Sequence, residues 1–230
     1  MLDALRRSEA ALTDLAVRTF HRRSGSLWGD LIGQARANLK VKPLDDVHYG
    51  DAHWRATAAI GLALCDGTAV DRRVILAFAI LHDSQRHDRL HDADHGHRAA
   101  LVASGSAVLG KLLGPLGVAQ VVEACVAHSD GLVSDDPVIG TCWDADRLAM
   151  LQRRRQPHMA YMSTTRCRTA FDDVCDMARR VCEAPPRWSS LISRVAQAPG
   201  PRHTGPSSGR NPMSRTPSDF REKTVDLPKH

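Results

Sequence analysis

Aromatic side chains are scarce in this 230-residue chain, with four Phe, four Trp and two Tyr making up 4% of it. A core must therefore pack on Leu, Val, Ile and Ala, and the 43% hydrophobic content leaves enough of them for a substantial one. Basic residues interleaved with aromatics, the pattern that stacks nucleobases, are missing. The formal net charge of +5 is thus no nucleic-acid signature, and fits an anionic small molecule or ordinary surface composition. The six cysteines, Cys65, Cys125, Cys142, Cys167, Cys175 and Cys182, form no Cys-x-x-Cys pair and no regular framework. With no apolar signal segment at the N-terminus and no run read as long enough to span a bilayer, a reduced, cytoplasmic setting is expected. The thiols then serve as core filler, with Cys142 close enough to Asp144 and Asp146 to line a pocket.

Sustained alternation of apolar and polar residues is also missing, which argues against sheets. Apolar residues instead recur at three and four, as in Leu2, Leu5, Leu12, Leu15 and in Val118, Val121, Val122, Cys125, and the fold class expected is an all-α bundle. Helices are predicted over about 2–21, 27–39, 52–65, 71–86, 96–113 and 117–128. Another should start near Cys142, with Thr141 as its N-cap, and a further amphipathic one should cover about 171–183. Residues 1–45 read as a helical extension and 46–184 as the main domain. The remainder, 185–230, is rich in Pro, Gly, Ser and Arg: 185–198 is expected as a short peripheral segment and 199–230 as a disordered tail.

Six residues along the main domain are of the type that holds divalent ions: His53, the adjacent pair His82 and Asp83, His95, His128 and Asp146. Imidazole and carboxylate in that ratio suit Mn, Fe, Co, Ni or Zn. The His82-Asp83 pair ends the apolar run Val74–Leu81, where a carboxylate is costly to bury unless a cation compensates it. Alone, such a pair reads as a solvated helix end. Its significance comes from the surrounding row: His53-Trp54-Arg55, Asp94-His95-Gly96-His97-Arg98, Cys125-Val126-Ala127-His128 and Asp144-Ala145-Asp146-Arg147-Leu148.

In that order the row resembles the HD-domain superfamily of metal-dependent phosphohydrolases, whose motif is a His, then His-Asp, then a distal Asp. The resemblance spans roughly residues 48–165 and is nearest to a bacterial subgroup with a His-Gly-x-x-His-Trp start, a His-Asp-Ser-x-Arg centre and a Cys-Trp-Asp-Ala-Asp-Arg-Leu end. The start departs by one residue between His48 and Gly50, so no role is carried over to His48. The resemblance implies an HD-type helical bundle with His53, His82, Asp83 and Asp146 as core ligands and His95 and His128 as the additional ligands of a two-metal site. Asp83 would bridge the ions. His97 is disfavoured against His95, Asp144 competes with Asp146, and His87, His91 and Asp88 are loop residues with at most a substrate contact.

The implied activity is hydrolysis of a phosphate ester or nucleotide by a metal-activated water, with two divalent ions as cofactors and a phosphorylated small molecule as partner. Phosphate oxygens need cationic donors, and Arg55, Arg86, Arg98 and Arg147 lie near the ligands in sequence; Arg86, three residues after Asp83, is the first choice for a catalytic contact beside Asp83. The short run Arg153–Arg155 reads as a solvated helix face. Two other classes share the ligand row: an HD-type diiron oxygenase and a non-catalytic regulatory binding module. Oligomeric state is not legible in the sequence.

Overall fold

The computed structural model describes residues 24–89, 92–153 and 155–197. Among them the only regular structure is helical. Residues 24–38 form α1, followed by α2 (Asp51–Leu64), α3 (Arg72–Leu81), α4 (His95–Gly105), α5 (Ala107–Val126), α6 (Pro137–Ala149), α7 (Thr165–Thr169), α8 (Phe171–Glu183) and α9 (Trp188–Ala196), with 3-10 turns at Met150–Arg153 and Met159–Tyr161. The predicted helix over 2–21 and the tail over 199–230 lie outside the described residues.

Helix α3 is the axis of the bundle. Every residue from Val74 to Leu81 is buried, which a helix apolar on all sides requires of its surroundings. It packs against α2, α5, α6 and α9. Asp71 starts it, its carboxylate accepting from the Arg73 amide at 2.9 Å, a standard N-cap. It ends at Leu81, with His82 as the C-cap, so His82 and Asp83 emerge where the helix stops rather than inside one running to residue 86. Gly61 on α2 lets that helix approach α3: a Cβ there would lie 2.5 Å from Ile75 Cγ2.

Two helix boundaries differ from expectation for local reasons. Ser106 caps α5, accepting from the Leu109 amide at 3.1 Å, and so ends α4 at Gly105. The later break falls inside α5, at Gly114 (φ +70°) and Pro115. Helix α6 begins at Pro137, with Asp136 accepting from the amides of Val138 and Ile139 at 2.7 and 3.0 Å; proline at a first helical position costs no hydrogen bond. Thr141 is therefore not a cap, and its hydroxyl donates back to the Pro137 carbonyl at 2.6 Å. By length and composition alone α5 could cross a membrane, which the sequence reading did not allow for. Its kink and its packing on α3 and α4 are those of a bundle helix.

The segment 185–198, expected as peripheral, contains α9, which buries Trp188 and Leu191 in the main core. Trp28, Leu31, Ile32, Ala35 and Leu39, on and just after α1, join that same core, so no core boundary falls at residue 45. Buried Asp51, at the start of α2, ties these parts together. Its carboxylate accepts from Trp188 Nε1 at 2.8 Å, Arg36 Nε at 2.8 Å and Arg55 Nε at 3.0 Å. Asp51→Ala is expected to destabilise by about 2 kcal/mol in a denaturant titration, the loss being moderated because Arg36 is 39% exposed and can return to water. An unchanged midpoint would show that Asp51 does not join the termini of the fold.

Candidate metal centre

Three helices and the turns that follow two others deliver the six predicted donors to one place. His53 projects from the first turn of α2, His82 and Asp83 from the end of α3, His95 from the first residue of α4, His128 from just beyond α5, and Asp146 from the interior of α6. All six are buried, Asp146 being the most open at 9%. They line the floor of a cleft of about 610 Å³, apart from His82, which sits beneath it.

The histidines are oriented from behind. His82 Nδ1 lies 3.1 Å from the Ala79 carbonyl and 3.3 Å from that of Phe78, and His128 Nδ1 lies 2.8 Å from that of Cys125. His95 Nδ1 makes the same contact to the Asp92 carbonyl. A carbonyl only accepts, so in each ring Nδ1 carries a proton and Nε2 faces the centre, with a lone pair for an ion when the ring is neutral and an N–H for a carboxylate when it is protonated. His82 is held further by stacking on Phe78, centroid to centroid 5.0 Å. His53 Nδ1 is buried without a hydrogen-bond partner, so its tautomer is set by what meets Nε2.

Around the His53 side, His53 Nε2 is 3.0 Å from Asp146 Oδ1 and 3.4 Å from His82 Nε2, and His82 Nε2 is 3.4 Å from the same Asp146 oxygen. Asp83 Oδ2 completes this set at 3.8 and 3.9 Å from His82 and His53. On the other side, Asp83 Oδ1 lies 3.1 Å from His95 Nε2 and 3.6 Å from His128 Nε2, which are 2.9 Å from one another. Donors bound at ~2.0–2.2 Å to one ion stand about 3 Å apart at right angles and about 4 Å apart when nearly opposed, so spacings of 2.9 to 3.9 Å within the sets fit a shared cation. Convergent lone pairs this close repel unless a cation or a proton lies between them, and the donor chemistry and separations together fit two overlapping divalent sites joined by Asp83.

Electrostatics agree. Burial alone would raise the Asp83 carboxyl, but His82, hydrogen bonds from His128 and His95, and the Arg86 guanidinium overcome it and hold the group well below the usual carboxylate range. For Asp146, burial is likewise outweighed by hydrogen bonds from His53 and His82. Burial opposes a charge on His82, yet the Asp83 and Asp146 carboxylates raise its pKa. Both carboxylates are thus anionic at neutral pH, as ligands must be.

Asp144 is turned away from the cluster. Its carboxylate accepts from the Ser163 and Thr164 amides at 2.7 and 2.8 Å and from the Thr164 hydroxyl at 2.8 Å, fastening the start of α7 to α6. His87, Asp88 and His97 are exposed, and His91 lies outside the described residues. His48 keeps its ring Nδ1 buried and without a hydrogen-bond partner, and does not line the cleft. Of the four arginines proposed for substrate, Arg86 and Arg147 line the cleft while Arg55 and Arg98 do not. Arg55 holds Asp51 and the carbonyls of Pro185 and Pro186. Arg98 pairs with Asp92 at 2.6 Å and donates to the Gln85 carbonyl, which braces the loop whose Asp92 carbonyl orients His95. Cys142 is fully buried in the core, with burial pushing its thiol pKa up, and does not line the cleft.

Sequence reasoning missed Tyr49, Arg153 and Arg155 in the cleft wall. Arg153 is half-buried, not a solvated face, and stacks 3.6 Å above the Tyr49 ring. A signal was present: Arg153 follows Asp146 by seven residues, two helical turns, and so shares its side if the helix continues.

Gly96 explains how α4 and α5 meet. A Cβ there would lie 2.5 Å from the Cys125 carbonyl oxygen and 3.2 Å from His128 Nδ1, so only glycine lets His95 and His128 face each other. Gly96→Ala is expected to destabilise by about 1–3 kcal/mol through overpacking and to weaken selectively the ion held by His95 and His128. Equal loss of both ions in a metal titration would contradict that assignment.

Comparison with family models, with curated proteins and with solved structures gives no match for this chain.

Proposed function

We propose that the chain is an HD-type, metal-dependent phosphohydrolase with a binuclear centre, acting on a phosphate ester or nucleotide. The observation that supports this most is the division of one buried carboxylate between two donor sets, Asp83 Oδ2 toward His53 and His82 and Asp83 Oδ1 toward His95 and His128. Two divalent ions held there supply Lewis-acid polarisation of a phosphoryl oxygen and a water acidic enough to attack at neutral pH. Mn, Fe, Co, Ni and Zn all suit these donors.

The chain's own groups do the rest. Asp83 fixes the centre, and the carbonyls behind His82, His95 and His128 keep its lone pairs aimed. Arg86, 3.2 Å from Asp83 Oδ1 and 2.9 Å from His95 Nε2, stands at the border between ligands and cleft, where its remaining donors meet phosphoryl oxygens. Arg147, anchored on the Leu132 and Tyr161 carbonyls, offers a second cation on the wall. Met150, Pro157 and Met162 give that wall an apolar part for a leaving group.

The test is phosphate release from a panel of nucleotides and sugar phosphates by protein loaded in turn with Mn, Co, Ni, Zn or Fe, with dioxygen uptake recorded alongside. Turnover that needs metal, stops with chelator and consumes no oxygen is expected. Oxygen uptake by the iron-loaded protein alone would replace hydrolysis by an oxygenase, and metal binding without turnover of any kind would leave a binding module.

A further inference from the structure

Several arginines in this fold are neutralised by a neighbouring carboxylate. Arg36 and Arg55 share Asp51, Arg73 holds Asp71 and Arg98 holds Asp92. The cleft is different. Four arginines line it, and of these only Arg86 has a carboxylate partner. Arg147 spends its donors on two backbone carbonyls, Arg153 donates to the His48 carbonyl, and Arg155 makes no ion pair among the described residues. The Arg153 Nε is buried and has no acceptor. Stacking on Tyr49, which also carries Arg86 at 4.5 Å, holds that guanidinium in place.

A guanidinium taken partly out of water without an anion is costly, so half-buried Arg147 and Arg153 on one wall are a standing demand for negative charge, to which exposed Arg155 beside them adds. The metal centre does not meet it. Two divalent ions against the Asp83 and Asp146 carboxylates leave a surplus that one phosphate monoester dianion balances; the carboxylates that act on Arg153 are those same two, already committed to the ions, and Arg155 has no ion-pair partner among the described residues. Resting on the binuclear reading above, we infer that the substrate carries a second anionic group, a further phosphate or a carboxylate, beyond the phosphate that meets the metal centre, and that Arg153 and Arg155 bind it. Tyr49 acts as a positioning residue, fixing the plane of the Arg153 guanidinium so that its free donors face the cleft.

The experiment is calorimetric titration of the full-length, Mn-loaded protein, dialysed free of excess metal, with three probes: orthophosphate, pyrophosphate and phosphoglycolate. The metal centre alone would treat orthophosphate and the terminal phosphate of the others alike. At least tenfold tighter binding of pyrophosphate or phosphoglycolate is expected, and which of the two is favoured identifies the second group as phosphate or carboxylate. That preference should collapse in Arg155→Ala, an exposed position that can be changed without disturbing the core, and in Arg153→Gln, which keeps the stacked shape. Orthophosphate affinity and Mn content should hold in both. Equal affinity for all three probes, or a preference that survives both substitutions, overturns the inference while leaving the phosphohydrolase reading intact. Failure of Mn-loaded protein to bind any of the three overturns both.

Discussion

Asp83→Ala is expected to purify with essentially no metal, whereas Asp146→Ala should keep about one ion per chain. The difference follows from geometry. Asp146 reaches His53 and His82 only, at 3.0 and 3.4 Å, while Asp83 reaches both histidine pairs through separate oxygens. Removing Asp146 therefore strips one donor set, and the ion between Asp83, His95 and His128 keeps its ligands. Loss of Asp83 takes the only anion from the second set and the bridge from the first. Substitutions behind a metal ligand cost ~10–100-fold in affinity or activity, so loss of the shared ligand should exceed that. Circular dichroism would confirm that the variant is folded, and elemental mass spectrometry would read the ions. If Asp83→Ala and Asp146→Ala lost metal equally, the bridging role would be wrong.

Metal should stabilise the protein more as pH rises. In the metal-free protein the His82 pKa is raised above its ordinary value of 6.5 by Asp83 and Asp146 against the cost of burial. Its pairing energy is therefore fully present below about pH 6.5 and lost as pH climbs through the raised value. The Asp83 and Asp146 carboxyls are lowered, so their contribution is present above about pH 4 and lost only as pH falls through their depressed values. Between neutral and alkaline pH the metal-free cluster thus loses stability, just where neutral imidazoles become free to bind an ion. At a thousand times the dissociation constant, one ion adds about 4 kcal/mol, a rise in Tm on the order of 10 °C for a domain of this size. Thermal unfolding with Mn or with chelator at pH 6, 7 and 8 should show the gap widening upward. A gap that narrows with pH would mean that the histidines are not the ligands.

The helical class was legible in three-four periodicity, and the six residues that converge on the cleft were legible in the ordered row from His53 to Asp146 and the resemblance it carries, since the His-Asp pair alone reads as a solvated helix end. What escaped needed the third dimension. Only the Ala-Asp-Arg-Leu context favours Asp146 over Asp144 in the sequence, whereas the docking of Ser163 and Thr164 on Asp144 separates them in space. Arg55 and Arg98 are as near to ligands in sequence as Arg86, yet Asp51 and Asp92 draw them away from the cleft. The start of α6 was misplaced because Thr141 resembles a cap, although Asp136-Pro137 is the stronger signal. Helix α9 was hidden by the Pro- and Gly-rich composition that follows it, which masks the two buried anchors Trp188 and Leu191.

Anomalous diffraction from crystals of the metal-loaded protein, recorded at the absorption edge of the bound element, bears most directly on the centre. Two peaks about 3.5–4 Å apart are expected, one among His53, His82 and Asp146 and the other beside His95 and His128, with the Asp83 carboxylate between them. A single peak, or peaks away from Asp83, would contradict a binuclear centre built on that residue.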